Sequence, residues 1–96
     1  MLNNSQKRFL KAQAHSLKPV VITGERGLTE TVMAEIDNAL NHHELIKVRI
    51  NAEDREQREA MTAEIASTTG ADTVQRIGHI VVLFRPSPDK PRIVLP

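Results

Sequence analysis

The alternation of apolar and polar positions divides the chain into segments with two different periods. Apolar residues recur at the three- and four-residue spacing of an amphipathic helix in three segments: 5–15, 29–41 and 53–69. Short runs of β-branched and aliphatic residues lie between or after these segments, at 20–22, 45–50, 73–77 and 80–84. The pattern therefore predicts the element order α-β-α-β-α-β-β.

Residues that start and stop helices support these boundaries. Ser5 and Thr29 are suitable N-caps for the first and second helices, because their hydroxyl groups can accept a hydrogen bond from a first-turn N–H. Gly70 is a natural stop for the third helix. Gly78 and His79 have the composition of a two-residue turn between the last two strands.

This order of elements indicates the fold class. Strand–helix–strand units favour parallel neighbours with right-handed crossovers, whereas a two-residue turn joins antiparallel strands. We therefore expect one α/β domain over residues 1–85, with a four-stranded mixed sheet and three helices. Residues 86–96 are a proline-rich tail, in which 92–95 are a candidate edge strand.

The second predicted strand has a strict two-residue alternation. Ile46, Val48 and Ile50 alternate with Lys47 and Arg49. Successive side chains point to opposite faces of a sheet, so the two cations project together from the face opposite the isoleucines. Two cations on one face repel mildly unless a negative group lies across them.

The most suggestive local motif is the Gly-Glu-Arg-Gly loop at 24–27, between the first strand and the second helix. Glycines allow backbone N–H groups to approach another surface closely, and a helix N-terminus favours an anion. In the functional interpretation, the loop binds a phosphate and the Arg26 side chain lies over that phosphate. A plain strand-to-helix turn is the alternative, since any tight turn favours glycine. Glu25 and Glu30 flank the loop and would repel a phosphate.

Charge is distributed unevenly along the 96 residues, although the net charge is only +1. Residues 27–44 carry four acidic residues and no lysine or arginine. Residues 1–26 carry one acidic residue against five cations: Lys7, Arg8, Lys11, Lys18 and Arg26. Cationic side chains can therefore gather into a local patch.

The sequence offers little for catalysis. It has no cysteine, its serines lack a nucleophile-elbow motif, and 24–27 is not a phosphate-binding loop of the Walker type. His42 and His43 are adjacent on a helix end and cannot chelate one ion together. We therefore expect no enzyme activity, metal, cofactor or small-molecule substrate.

The remaining composition bears on location and partners. No signal peptide or long apolar run is present, so we expect a cytoplasmic protein without a membrane partner. We also expect a monomer. Phe9 and Phe84 are the only aromatic residues apart from histidine, which leaves no platform for base stacking. RNA binding would then depend on phosphate contacts.

Several separated motifs resemble the CRM domain, the chloroplast RNA splicing and ribosome maturation family, and in particular its stand-alone bacterial YhbY type. They cover most of the chain, in the expected order: AHSLKPVV at 14–21, GxxGLTE at 24–30, HHELIKV at 42–48, DRE at 54–56, IG at 77–78 and VLFRP at 82–86. Two positions depart from the family pattern. Glu25 replaces a neutral or basic residue, and Phe84 replaces a frequent tyrosine.

The resemblance implies a fold like the C-terminal domain of translation initiation factor three, with a GxxG loop used as in KH domains. It also implies association with rRNA in precursors of the large ribosomal subunit. By position, the family's RNA surface would include Gly24, Arg26 and Gly27. To these we add four cations from the predicted geometry: Lys18, Lys47, Arg49 and Arg55.

Two hypotheses follow. In the first, the protein is a ribosome-assembly factor that docks on structured rRNA by phosphate and shape contacts. In the second, it is an adaptor whose acidic second helix, with Glu30, Glu35 and Asp37, binds a basic ribosomal protein without touching RNA.

Overall fold

The computed structural model describes residues 2–89 and 91–96. Its elements are α1 (Asn4–Ala14), β1 (Pro19–Ile22), α2 (Glu30–His43), β2 (Leu45–Arg49), α3 (Arg55–Thr69), β3 (Asp72–Ile77) and β4 (Ile80–Phe84). The predicted element order is confirmed, and each boundary lies within two residues of its expected position.

The sheet is mixed, as the order of elements predicts. Its strand order is β1-β2-β4-β3. β1 and β2 are parallel and joined through α2, whereas β4 runs antiparallel to both of its neighbours. The carboxyl ends of β1 and β2 and the turn between β3 and β4 therefore lie at the same edge, where Arg49 pairs with Ile80.

Helices pack on both faces of the sheet and form two apolar clusters. α2 and α3 cover one face, and the buried side chains there include Val21, Ile36, Leu40, Ile46, Val48, Ile50, Ile65, Val81 and Leu83. α1 covers part of the other face, where its own Leu10 and Ala14 pack with the sheet residues Leu45, Val74, Val82 and Phe84. Val20 and Ile22 of β1 lie outside the area that α1 covers and are about half exposed.

The N-cap of α1 differs from the expected one. Asn3, not Ser5, caps the helix: its side chain accepts from the Gln6 N–H at 2.8 Å, and the Gln6 side chain accepts from the Asn3 N–H at 3.1 Å. Ser5 lacks a glutamine or glutamate three residues later, so it cannot form this reciprocal capping box. The predicted cap of α2 is confirmed, because the Thr29 hydroxyl accepts from the Val32 N–H at 3.1 Å.

The described residues of the tail, 86–89 and 91–96, form no strand, and Lys90 within the tail lies outside the described residues. The candidate edge strand at 92–95 is therefore not seen. Instead, Ile93 and Leu95 pack against the cluster beneath α1.

Glu44 holds the tail in place. Its carboxylate is fully buried and accepts from three backbone N–H groups: those of Ser87 at 2.6 Å, Arg92 at 2.7 Å and Ile93 at 2.9 Å. Burial alone would raise the pKa of Glu44, but these donors and the Arg92 guanidinium together lower it below its ordinary value. The residue adopts φ 64°, a conformation that non-glycine residues rarely take.

Candidate nucleic-acid interface

Three loops meet at the sheet edge where β1 and β2 end. They are the 24–27 loop, the connection from β2 into α3, and the turn between β3 and β4. The Ile50 N–H donates to the His79 carbonyl at 2.7 Å, which joins the connection after β2 to the turn between β3 and β4. We call this edge, residues 23–27, 49–58 and 76–80, the loop end.

The 24–27 loop is a tight, exposed turn. The Gly27 N–H donates to the Gly24 carbonyl at 3.0 Å, and Gly27 takes φ 71°, which favours glycine. The Gly27 amide is thus used within the turn. In the part of the chain that the structure describes, the Glu25 and Arg26 N–H groups have no protein acceptor. These two amides are the donors that the loop offers to a ligand.

Gly24 has no such conformational requirement. Its φ is not in the left-handed region, and a Cβ built there would meet no atom within 4 Å. The fold itself therefore leaves room for a side chain at this position. Because glycine has no side chain, that space stays open, and another molecule can approach the backbone through it.

A hydrogen-bonded clamp fixes the start of the loop. Buried Thr23 donates its N–H to the Arg49 carbonyl at 3.0 Å, and its hydroxyl accepts from the Asn51 N–H at 2.9 Å. The Asn51 side-chain amide donates to the Thr23 carbonyl at 2.8 Å and accepts from Arg49 Nε at 3.4 Å. These hydrogen bonds hold the Arg49 side chain in position relative to the start of the 24–27 loop.

The structure brings together five of the predicted site residues. Gly24, Arg26 and Gly27 form the turn, Arg49 ends β2 and Arg55 begins α3, all at the loop end. The three arginines are exposed.

The remaining two predicted residues lie elsewhere. Lys18 precedes β1, at the opposite end of that strand from the loop. Lys47 shares a sheet face with Arg49, as expected, but its ammonium donates to the Leu17 carbonyl at 3.0 Å, toward the Lys18 end.

Acidic side chains are interleaved with these cations. Glu25 is exposed within the turn, and Glu53 and Asp54 immediately precede α3. Asp54 caps that helix by accepting from the Gln57 N–H at 2.7 Å. The loop end thus offers fixed donors and guanidinium groups rather than a uniformly positive field.

Sequence reasoning missed the clamp. The available signal was a polar Thr23 that continues the apolar run of β1, together with Asn51 just after the neighbouring strand. Their pairing depends on the parallel register of β1 and β2, which the local pattern does not specify.

Metal-binding and membrane-spanning features are absent from residues 2–89 and 91–96. These residues contain no group of three or more histidine, cysteine, aspartate or glutamate side chains able to hold a metal ion. None of their helices is long and apolar enough to cross a bilayer. Of the two adjacent histidines at the end of α2, His42 contacts its own helix: its Nδ1 lies 2.8 Å from the Asn38 carbonyl.

Comparison with known families gives a match over nearly the whole chain. Residues 2–85 match the model of the CRS1/YhbY (CRM) domain. This match confirms the resemblance seen in the sequence.

Individual proteins are similar to this chain over nearly their whole lengths. A Haemophilus influenzae protein named "RNA-binding protein" is 55% identical over 95 residues, 99% of this chain and 95% of its own length. The Bacillus subtilis "Probable RNA-binding protein YqeI" is 33% identical over the full length of both chains. A hypothetical Staphylococcus aureus protein, solved in solution and described as an RNA-binding candidate, superposes with a TM-score of 0.85 at 32% identity and full coverage of both chains.

Proposed function

Because the chain belongs to the CRS1/YhbY (CRM) domain family, we propose that it binds structured RNA through the loop end. The single observation that carries this proposal is the exposed Gly24–Gly27 turn. It presents two unpaired backbone N–H groups beside Arg26, on a base held rigid by Thr23 and Asn51. The names of the relatives support RNA as the ligand.

In this proposal, a backbone phosphate accepts from the Glu25 and Arg26 amides. Gly24 lets the strand approach closely, while Arg26, Arg49 and Arg55 supply charge. Such contacts read backbone and shape rather than base sequence. Stacking contributes little, because Phe84 is buried and Phe9 packs against the cluster beneath α1.

The open part of the sheet face extends this surface. Ile22 pairs with Arg49 across β1 and β2, and Pro19 pairs with Lys47. A strand that leaves the loop along this face would pass Arg49, then Lys47, then Lys18. The two lysines therefore belong to an extension of the proposed surface, not to its centre.

We further propose that the bound RNA is rRNA in a precursor of the large ribosomal subunit. The protein would act there in the cytoplasm as a monomer and assist assembly without chemistry of its own. The family resemblance supports this assignment. The geometry supports it by offering phosphate and shape contacts of the kind that a folded rRNA presents.

The acidic-helix alternative loses part of its surface. Arg85 binds the Asp37 carboxylate at 2.6 Å and also donates to the Thr69 carbonyl at 2.8 Å and to Asn41 Oδ1 at 2.8 Å. Through Arg85, Asp37 and Asn41 of α2 are thus joined to the carboxyl end of α3 at Thr69. Of the three acids predicted to meet a basic partner, Glu30 and Glu35 are left.

Sedimentation of a cell lysate tests the assignment to ribosomal precursors. We expect the protein to migrate with precursors of the large subunit and to move to the top of the gradient after ribonuclease treatment. The Arg26→Glu variant should move to the top of the gradient without ribonuclease. The Arg8→Glu variant, changed at an exposed residue of α1, should stay with the precursors. A ribonuclease-resistant complex with a ribosomal protein would instead support the adaptor.

A further inference from the structure

A cleft of about 280 Å³ lies at the loop end, between α3 and the turn that joins β3 and β4. Buried Ile50 and Val81 form part of its wall. Its charged lining comes from Arg55, Arg58 and Glu59 of α3 and from Arg76 of β3. His79 lines it from the turn. The sequence predicted His79 only as a residue of the turn, and it did not single out Arg58 or Arg76, because β3 and α3 approach only in the folded chain.

The charges in this cleft are unbalanced. Three guanidinium groups face one carboxylate: Arg55 Nε lies 3.3 Å from Glu59 Oε1, and Arg76 Nη1 lies 3.6 Å from the same oxygen. Arg58 has no acid partner among the described residues, and its Nη1 lies 3.4 Å from His79 Nδ1. Counting the guanidinium and carboxylate groups alone, the lining carries two positive charges more than negative ones.

An anion can therefore bind Arg58 without breaking an ion pair, and it can reach Arg76 through the guanidinium nitrogens other than Nη1, which faces Glu59. Arg58 can turn from the His79 ring to a phosphate, and guanidinium–phosphate hydrogen bonds are among the strongest that a side chain makes. The volume lies just below the range of roughly 300–1,000 Å³ typical of sites that enclose a small molecule. A cleft of this size suits one phosphate of a longer RNA strand.

Resting on the proposed function, we infer that this cleft is a second phosphate site for the same RNA. Arg58 and Arg76 bind one backbone phosphate there, while the 24–27 loop binds another. Arg55 lines the cleft and begins α3, directly after the connection whose Asn51 is hydrogen-bonded to Thr23 at the start of the 24–27 loop. The RNA strand then runs from the loop across the start of α3 to the turn between β3 and β4.

The test compares two charge-matched double variants in a salt titration with a labelled RNA hairpin that has an unpaired loop. The Arg58→Gln, Arg76→Gln variant should bind about tenfold more weakly, because charge-assisted hydrogen bonds to a phosphate are removed. Its log–log salt slope should fall by roughly 0.7 for each phosphate of the unpaired strand that is no longer neutralised. The Arg8→Gln, Lys11→Gln control removes the same charge from exposed positions of α1 and should leave affinity within about twofold.

A second measurement does not depend on any variant folding. In the wild-type protein, NMR signals of the Arg58 and Arg76 Nε–H groups should shift when the hairpin is added. Unmoved signals, or equal decreases of affinity in both double variants, would overturn the inference. Saturation of the cleft by micromolar uridine monophosphate would make it a free-nucleotide site and also overturn it.

The two proposals can fail separately. If Arg26→Glu abolishes binding while the cleft variant binds normally, the cleft inference alone is wrong. If the wild-type protein binds neither the hairpin nor ribosomal precursors, both proposals are wrong.

Discussion

Replacing Glu44 with glutamine should lower the free energy of unfolding by about 2–3 kcal/mol, because a buried acceptor of three N–H groups loses its charge and one of its two acceptor oxygens. For a domain of this size, each kcal/mol corresponds to a melting-temperature decrease of roughly 4–8 °C. Urea unfolding at neutral pH measures the change. Glu35→Gln, at an exposed position of α2, the helix that Glu44 directly follows, is the matched control and should change stability by less than about 0.5 kcal/mol.

The effect of this substitution should depend on pH. The pKa of Glu44 is lower in the folded protein than in the unfolded chain, where it is about 4.3. Its ionised form therefore stabilises the fold above that value, and this contribution is lost as pH falls through the folded-state pKa. The stability difference between wild type and Glu44→Gln should be full at neutral pH and shrink in acid. A difference that stayed constant throughout would contradict the role given to the charge.

Changing Arg26 to glutamate should lower RNA affinity at least about tenfold, because attraction between a guanidinium and a phosphate is replaced by repulsion. The slope of log affinity against log salt should flatten by about 0.7 to 0.9, the value for one phosphate that is no longer neutralised. Arg26 is exposed and has no side-chain partner among the described residues, so the melting temperature should not change. A filter-binding titration at several salt concentrations measures both the affinity and the slope.

Two further variants make this prediction specific to the loop. Arg8→Glu makes the same change of charge on α1 and should leave affinity nearly unchanged. Glu25→Gln should raise affinity, because it removes the carboxylate that stands in the turn beside the proposed phosphate. If Arg8→Glu and Arg26→Glu weakened binding equally, net charge would explain the effect and the loop would have no special part in it.

The sequence predicted the elements well because each has a strong local pattern. The alternation of Ile46, Lys47, Val48 and Arg49 determines which side chains share a face of β2, whatever lies around it. The cap at Thr29 depends on an N–H only three residues away. The exception at Asn3 is also local, and the glutamine three residues later was the signal that identifies the better cap.

What the sequence did not predict depends on interactions between distant positions. Glu44 looks like one more acid at the end of a helix, yet it binds backbone groups more than forty residues later. Asp37 looks like part of a free acidic face, yet Arg85 from the end of the sheet binds it. Periodicity and spacing carry no information about such pairs.

The same distinction applies to the candidate site. The glycines and Arg26 are contiguous and could be recognised as a loop before a helix. That Arg49 and Arg55 lie near this loop, and Lys18 does not, follows from the parallel pairing of β1 with β2. The clamp of Thr23 and Asn51 required the register itself, not only the strand order.

Crosslinking tests the central claim, that the loop end binds RNA, most directly. Cells are irradiated, the protein is purified, and the peptides that carry crosslinked nucleotides are located by mass spectrometry. The proposal predicts crosslinks within residues 23–27, 49–58 and 76–80, to nucleotides of large-subunit rRNA. Crosslinks confined to α1 or to the tail after residue 85, with none at the loop end, would contradict it.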